Sequence, residues 1–220
     1  MKILLRKSTL RPSNCRELIS GWTDYIGVKY AYGHGIGGVL FGETSPCPPT
    51  VFRMQCPEWF KREIFLSSNC TGTLTKSDLE MYVLLLLCLL LEEVCKVKSG
   101  GHVALFSDNH LTVSWVDWLA SKISIVAGQL LRALAFGLKM KGASPLTPFH
   151  IAVQQNSMMD ITSRLFCSEI KCHCKTDTEL FLINNKFPLP NKASWTVFHP
   201  TKKICIEIIS VLRMEVTTIE

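Results

Sequence analysis

Three acids stand out as side chains that could do chemistry together: Glu80, Asp108 and Asp160, with His150 before the last of them. Carboxylate oxygens converging on one point bind a hard divalent cation such as magnesium, and such a centre activates water for hydrolysis. A nearby histidine can carry the proton. Each residue also has an ordinary structural explanation. Glu80 in Thr75-Lys76-Ser77-Asp78-Leu79-Glu80 can close a capping box with Ser77, although Thr75 with Asp78 makes an equally good box and releases Glu80. Asp108 or Asn109 can cap a following helix. Asp160 stands four residues before Arg164, the spacing of a surface ion pair. His150 can be a loop residue without consequence.

The elements that must position these groups are readable from pattern. Tyr25–Tyr32 is rich in strand formers, Gly33–Gly38 punctuates it, and Val39-Leu40-Phe41 resumes as a strand, so the two pair as a hairpin. Thr50–Gln55 reads as a third strand after the loop of Pro46, Pro48 and Pro49. Residues 56–74 read as loop. Thr75–Val97 is the strongest helix, apolar on nearly all faces and therefore covered on both sides. His102–Ser107 is a buried strand that delivers Asp108 at its carboxyl end, where open α/β sheets collect ligands. Helices follow at about 110–120 and 123–141, then a strand at Leu146–Ile151 and a helix at Asn156–Phe166. Three strands joined without helices form an antiparallel meander, and two more reached by helical crossovers add in parallel. The expected organisation is an arm (1–22), an α/β domain with a five-stranded mixed sheet flanked by helices (23–166), and an irregular extension (167–220).

Bulk properties bound the function. A chain of 220 residues with 47% hydrophobic and 19% charged residues is globular in composition. Its net charge of +6 suits a polyanionic partner, but the basic residues are scattered and argue weakly. The apolar run Tyr82–Leu91 is about half the ~20 residues a membrane span needs, and Glu80, Glu92 and Glu93 bracket it. Gly33, Gly35 and Gly38 satisfy G-x-G-x-x-G, yet a strand rather than a helix follows, so no nucleotide cofactor is expected. The start of the chain has no secretory pattern, which points to an intracellular protein with reduced thiols among its ten cysteines. The sequon at Asn69-Cys70-Thr71 then has no use. Cys167, Cys172, His173 and Cys174 lack the second ligand pair of a zinc knuckle, which favours free cysteines.

The order of these motifs resembles the ribonuclease H-like domain of retrotransposons, closest to the DIRS and Ngaro type that use a tyrosine recombinase. The helix Lys76-Ser77-Asp78-Leu79-Glu80 is similar to the family's Asn-Ser-Asp-Leu-Glu. Ser107-Asp108-Asn109 matches its Ser-Asp-Asn. The stretch His150 to Asp160 through Asn156, followed by Ser163-Arg164, resembles its His-x-x-Gly-x-x-Asn-x-x-Ala-Asp with Ser-Arg. The likeness runs from about Trp22 to Arg164, and the tail resembles the segment between nuclease and recombinase.

The resemblance implies cleavage of the RNA strand of an RNA–DNA hybrid, with two magnesium ions about 4 Å apart. Glu80, Asp108 and Asp160 would be the metal ligands, His150 would assist proton movement or product release, and Asn109 and Asn156 would be polar supports near the substrate. The departures matter as much. The family's hairpin reads Gly-Val-x-Asp-Ala-Ser, and this chain reads Gly27-Val28-Lys29-Tyr30-Ala31-Tyr32. Tyr30 thus stands at the first-acid position, and Val153 and Met159 replace small residues of the last loop. Asp24 lies six residues upstream, roughly 20 Å away at strand rise. A neutral phenol supplies neither charge nor a good magnesium ligand. Losing one preorganised electrostatic group costs roughly 2.7–4 kcal/mol of transition-state stabilisation, so impaired catalysis is expected.

Overall fold

The computed structural model describes residues 23–32, 35–42, 49–56, 62, 73–141, 146–164, 183–189, 194–200 and 204. The N-terminal arm, the sequon and the Cys167–Cys174 cluster lie outside them. Strands β1 (Tyr25–Tyr32), β2 (Gly35–Gly42) and β3 (Thr50–Gln55) form the antiparallel meander, with Val28 opposite Val39 and Val39 opposite Val51. β4 (Val103–Ser107) lies parallel to β1, and β5 (Leu146–His150) parallel to β4. The mixed sheet, with these three antiparallel and two parallel strands flanked by helices, is the expected α/β arrangement.

The sheet has six strands, not five. Its order is β5-β4-β1-β2-β3-β6, and the sixth strand, β6 (Thr196–Phe198), comes from the extension expected to be irregular. β6 pairs in parallel with β3, Val51 against Val197, and so covers an edge whose backbone groups would otherwise lack partners. Just before it, Trp195 donates its indole N–H to the Phe187 carbonyl (2.7 Å) and packs edge-on against Phe41. The extension is thereby pinned to the sheet.

Each face of the sheet carries its own apolar cluster. Helix α1 (Lys76–Leu90), continued by a π-helical turn at Leu91–Cys95, is buried on nearly every side. It packs with α2 (His110–Trp118) and α3 (Ile125–Lys141) in a cluster that includes Tyr25, Ala31, Leu87, Leu105, Trp115 and Leu130. On the other face α4 (Ser157–Arg164) brings Met158 and Met159 against Tyr30, Val39, Val51 and Trp195.

The glycine segment expected to be a turn is strand from Gly35 onward. Close approach explains it. A Cβ on Gly37 would stand 2.9 Å from the Ser163 backbone nitrogen, and one on Gly38 would meet the Phe52 ring and the Val28 carbonyl at 2.7 Å. Bare backbone at Gly37 lets α4 lie directly on β2, and at Gly38 it makes room for the Phe52 ring on the opposite face.

Among the described residues no helix is long and apolar enough to cross a membrane. Cys56 and Cys95 are buried and Cys88 is half-buried.

Candidate functional site

Thr75 caps α1. Its hydroxyl accepts from the Asp78 amide (3.2 Å), and the Asp78 carboxylate accepts from the Thr75 amide (2.8 Å). Ser124, ahead of α3, donates its hydroxyl to Asp78, so the cap also ties two helix starts together. With Asp78 in the box, Glu80 is free to turn toward the sheet, and it is fully buried there.

Strand alternation decides what Glu80 meets. Gly27, Lys29 and Ala31 share the face of β1 that α1 covers: a Cβ at Gly27 would touch Leu87, and Ala31 lies in the α1 cluster. Lys29 is completely buried on that face, and its ammonium forms an ion pair with the Glu80 carboxylate. The same Nζ donates to the Glu80 carbonyl at 2.8 Å, while the other carboxylate oxygen accepts from the Ala31 amide at 3.2 Å. Burial drives the Lys29 ammonium below the ordinary lysine range and lifts the Glu80 carboxyl above the ordinary glutamate range. Their mutual attraction opposes both shifts. Whichever partner holds the shared proton, the pair carries no net charge.

Of the other residues, Asp108 and Asn156 lie against this pair. Asp108, half-buried just beyond β4, lies close enough for its charge to act on both Lys29 and Glu80. Asn109 caps α2, accepting from the Thr112 amide (3.0 Å), and donates its side-chain amide to Ser77 (3.2 Å), which links the β4 end to α1. Asn156 is buried, with its Nδ2 on the Lys29 carbonyl at 3.3 Å and its Oδ1 without a hydrogen-bond partner among the described residues. Asp160 is half-buried in the first turn of α4. His150 ends β5 opposite Ser107, exposed and stacked on His110 with ring centroids 3.5 Å apart and planes within 9°.

Tyr30 points away from the pair. It is buried against Met158, Met159 and Val39, with the Lys76 ammonium 5.6 Å from its ring centroid. Asp24 is far from this corner: its carboxylate holds the His102 amide (2.9 Å) at the opening of β4, whereas Asp108 follows the strand's end.

Two residues here were missed from sequence. Lys29 reads as a solvent-facing strand position by charge alone. The available signal was its parity with Gly27 and Ala31, which places it under a helix and demands a carboxylate partner. Nothing in the sequence marks His110, the first residue of α2.

The residues present do not fit a divalent metal centre. Both oxygens of Glu80 are taken, Tyr30 offers no carboxylate, and among the described residues no three of His, Cys, Asp and Glu stand where they could hold one ion.

Solved structures of ribonuclease H1 are similar to this chain. One, from the halophilic archaeon Halobacterium salinarum NRC-1, is 11% identical with a TM-score of 0.46, over 66% of this chain and 96% of that one. Another, LC11-RNase H1 isolated from compost by a metagenomic approach, is 16% identical with a TM-score of 0.45, over 67% and 98%. The same enzyme in complex with an RNA/DNA hybrid is 14% identical with a TM-score of 0.40, over 66% and 97%. No family model matches the chain, and no curated protein does.

Proposed function

We propose that this chain is a ribonuclease H-like domain of retroelement descent, of the DIRS and Ngaro kind, in which metal-dependent hydrolysis of RNA–DNA hybrids is lost or severely weakened. The motif order from Lys76 to Arg164 supports the descent. The single observation that carries the loss is Tyr30, a buried phenol in an apolar cluster at the first-acid position. Two-metal hydrolysis relies on several anionic oxygens to hold the ions. Outside the Lys29–Glu80 pair, the motif supplies Asp108 and Asp160, too little to organise two ions. Binding of hybrid without cleavage is the activity this reading retains, with Asn109 and the His110–His150 stack at the open ends of β4 and β5 as candidate contacts.

The test uses an end-labelled RNA–DNA hybrid with magnesium and with EDTA. The reading expects the hybrid to be retained in a mobility-shift assay at low salt and the RNA strand to stay intact in both buffers. Magnesium-dependent cleavage by the native chain, abolished in Asp108→Asn, would overturn it.

A further inference from the structure

We infer that Lys29 is a resident cation, its ammonium standing at Glu80 where a hydrolytic relative would place a divalent metal, so that this corner of the domain is neutralised and closed without metal. The inference rests on the reading of Glu80 as an ancestral metal ligand and goes beyond the loss at Tyr30.

Four observations support it. The Lys29 ammonium and the Glu80 carboxylate are both wholly shielded from solvent, so neither charge is met by water. Nζ reaches both the carboxylate and the main-chain carbonyl of Glu80, and a buried ammonium needs such paired, oriented acceptors. The carboxylate's other oxygen accepts from the Ala31 amide, so both oxygens are already engaged by donors. Finally, the Asn156 side chain clamps the Lys29 carbonyl from the turn before α4. β1, α1 and the approach to α4 therefore all meet at this lysine. A metal centre would gather the same elements through separate carboxylates, and here one residue does it, meeting α1 through its side chain and the approach to α4 through its main-chain carbonyl.

The experiment follows manganese binding by electron paramagnetic resonance, and melting with manganese or EDTA, on the full chain. Manganese is the probe because it takes the same oxygen ligands as magnesium. The native chain is expected to melt at the same temperature in both buffers. Lys29→Met should melt about 10 °C lower in EDTA, because it strands a buried carboxylate. Manganese should recover part of that loss. The double variant Lys29→Met/Glu80→Met removes both charges, so it should regain most of the native melting temperature and ignore manganese. If the single variant does not fold, the native chain and the double variant still decide. Manganese bound by the native chain and lost in the double variant overturns the inference, as does a Lys29→Met variant that melts like the native chain. A native chain that binds manganese through Glu80 and leaves hybrid uncut would overturn this inference alone, whereas metal-dependent cleavage would overturn the functional reading itself.

Discussion

Tyr30 and Lys29 are adjacent in sequence and belong to different faces of the sheet, and that separation governs what each substitution can do. Tyr30 packs with Met158 and Met159, whereas Lys29 holds Glu80 under α1. Placing an acid there with Tyr30→Asp therefore does not bring a carboxylate to Glu80. It places a carboxylate among methionine and valine side chains, with the Lys76 ammonium close by. The expected cost is about 3 kcal/mol of stability, read as a lower urea midpoint, with no cleavage gained while Lys29 remains. A Tyr30→Asp chain that cuts hybrid would show that Glu80 is available after all. The acids and Tyr30 were legible in the sequence because motif spacing marks them. Lys29 was not, because its partner is 51 positions away and charge alone suggests a wet position.

Glycines set the spacing between α4 and the sheet at the level of elements. Gly37→Ala would push a methyl against Thr162 and the Ser163 backbone, and backbone yields less readily than a flexible side chain. We expect a loss of about 1–3 kcal/mol, with faster amide exchange in α4 and none in α1, which rests on the opposite face. Equal exchange in both helices would contradict this. The strand periods of β1 and β3 were plain from sequence, and the structure keeps their limits at Tyr25–Tyr32 and Thr50–Gln55. β2 was read too short, because glycine signals a turn unless one knows that a helix will press on it. The choice between two capping boxes was open from sequence, since both satisfy the same spacing. Packing of Ser124 onto Asp78 decides for Thr75.

For the molecule as a whole, the extension is part of the sheet. Three residues of β6 are too short a run to announce themselves in a sequence, yet they cover β3 while Trp195 closes the face beside Tyr30. His199, just past β6, gives this edge a pH dependence. Burial first, and then the nearby positive charge of Arg53, hold its imidazole below the ordinary histidine range. A depressed value means that the unfolded chain binds the proton more readily. The stabilisation is therefore complete above the ordinary histidine value of about 6.5 and fades as pH falls through the lower folded value. Amide exchange along β3 and β6 should quicken on acidification, and His199→Gln should abolish the change. Equal acceleration in that variant would assign it to another group.

The central claim is that a buried lysine stands at Glu80 where the fold's hydrolytic kin would carry metal. It is tested most directly by diffraction from crystals of the native chain soaked in manganese, with the anomalous signal mapped around α1 and the end of β4. The account predicts no manganese at Glu80 and the Lys29 ammonium in contact with its carboxylate. A manganese ion bound by Glu80 and Asp108, with Lys29 turned aside, would contradict it.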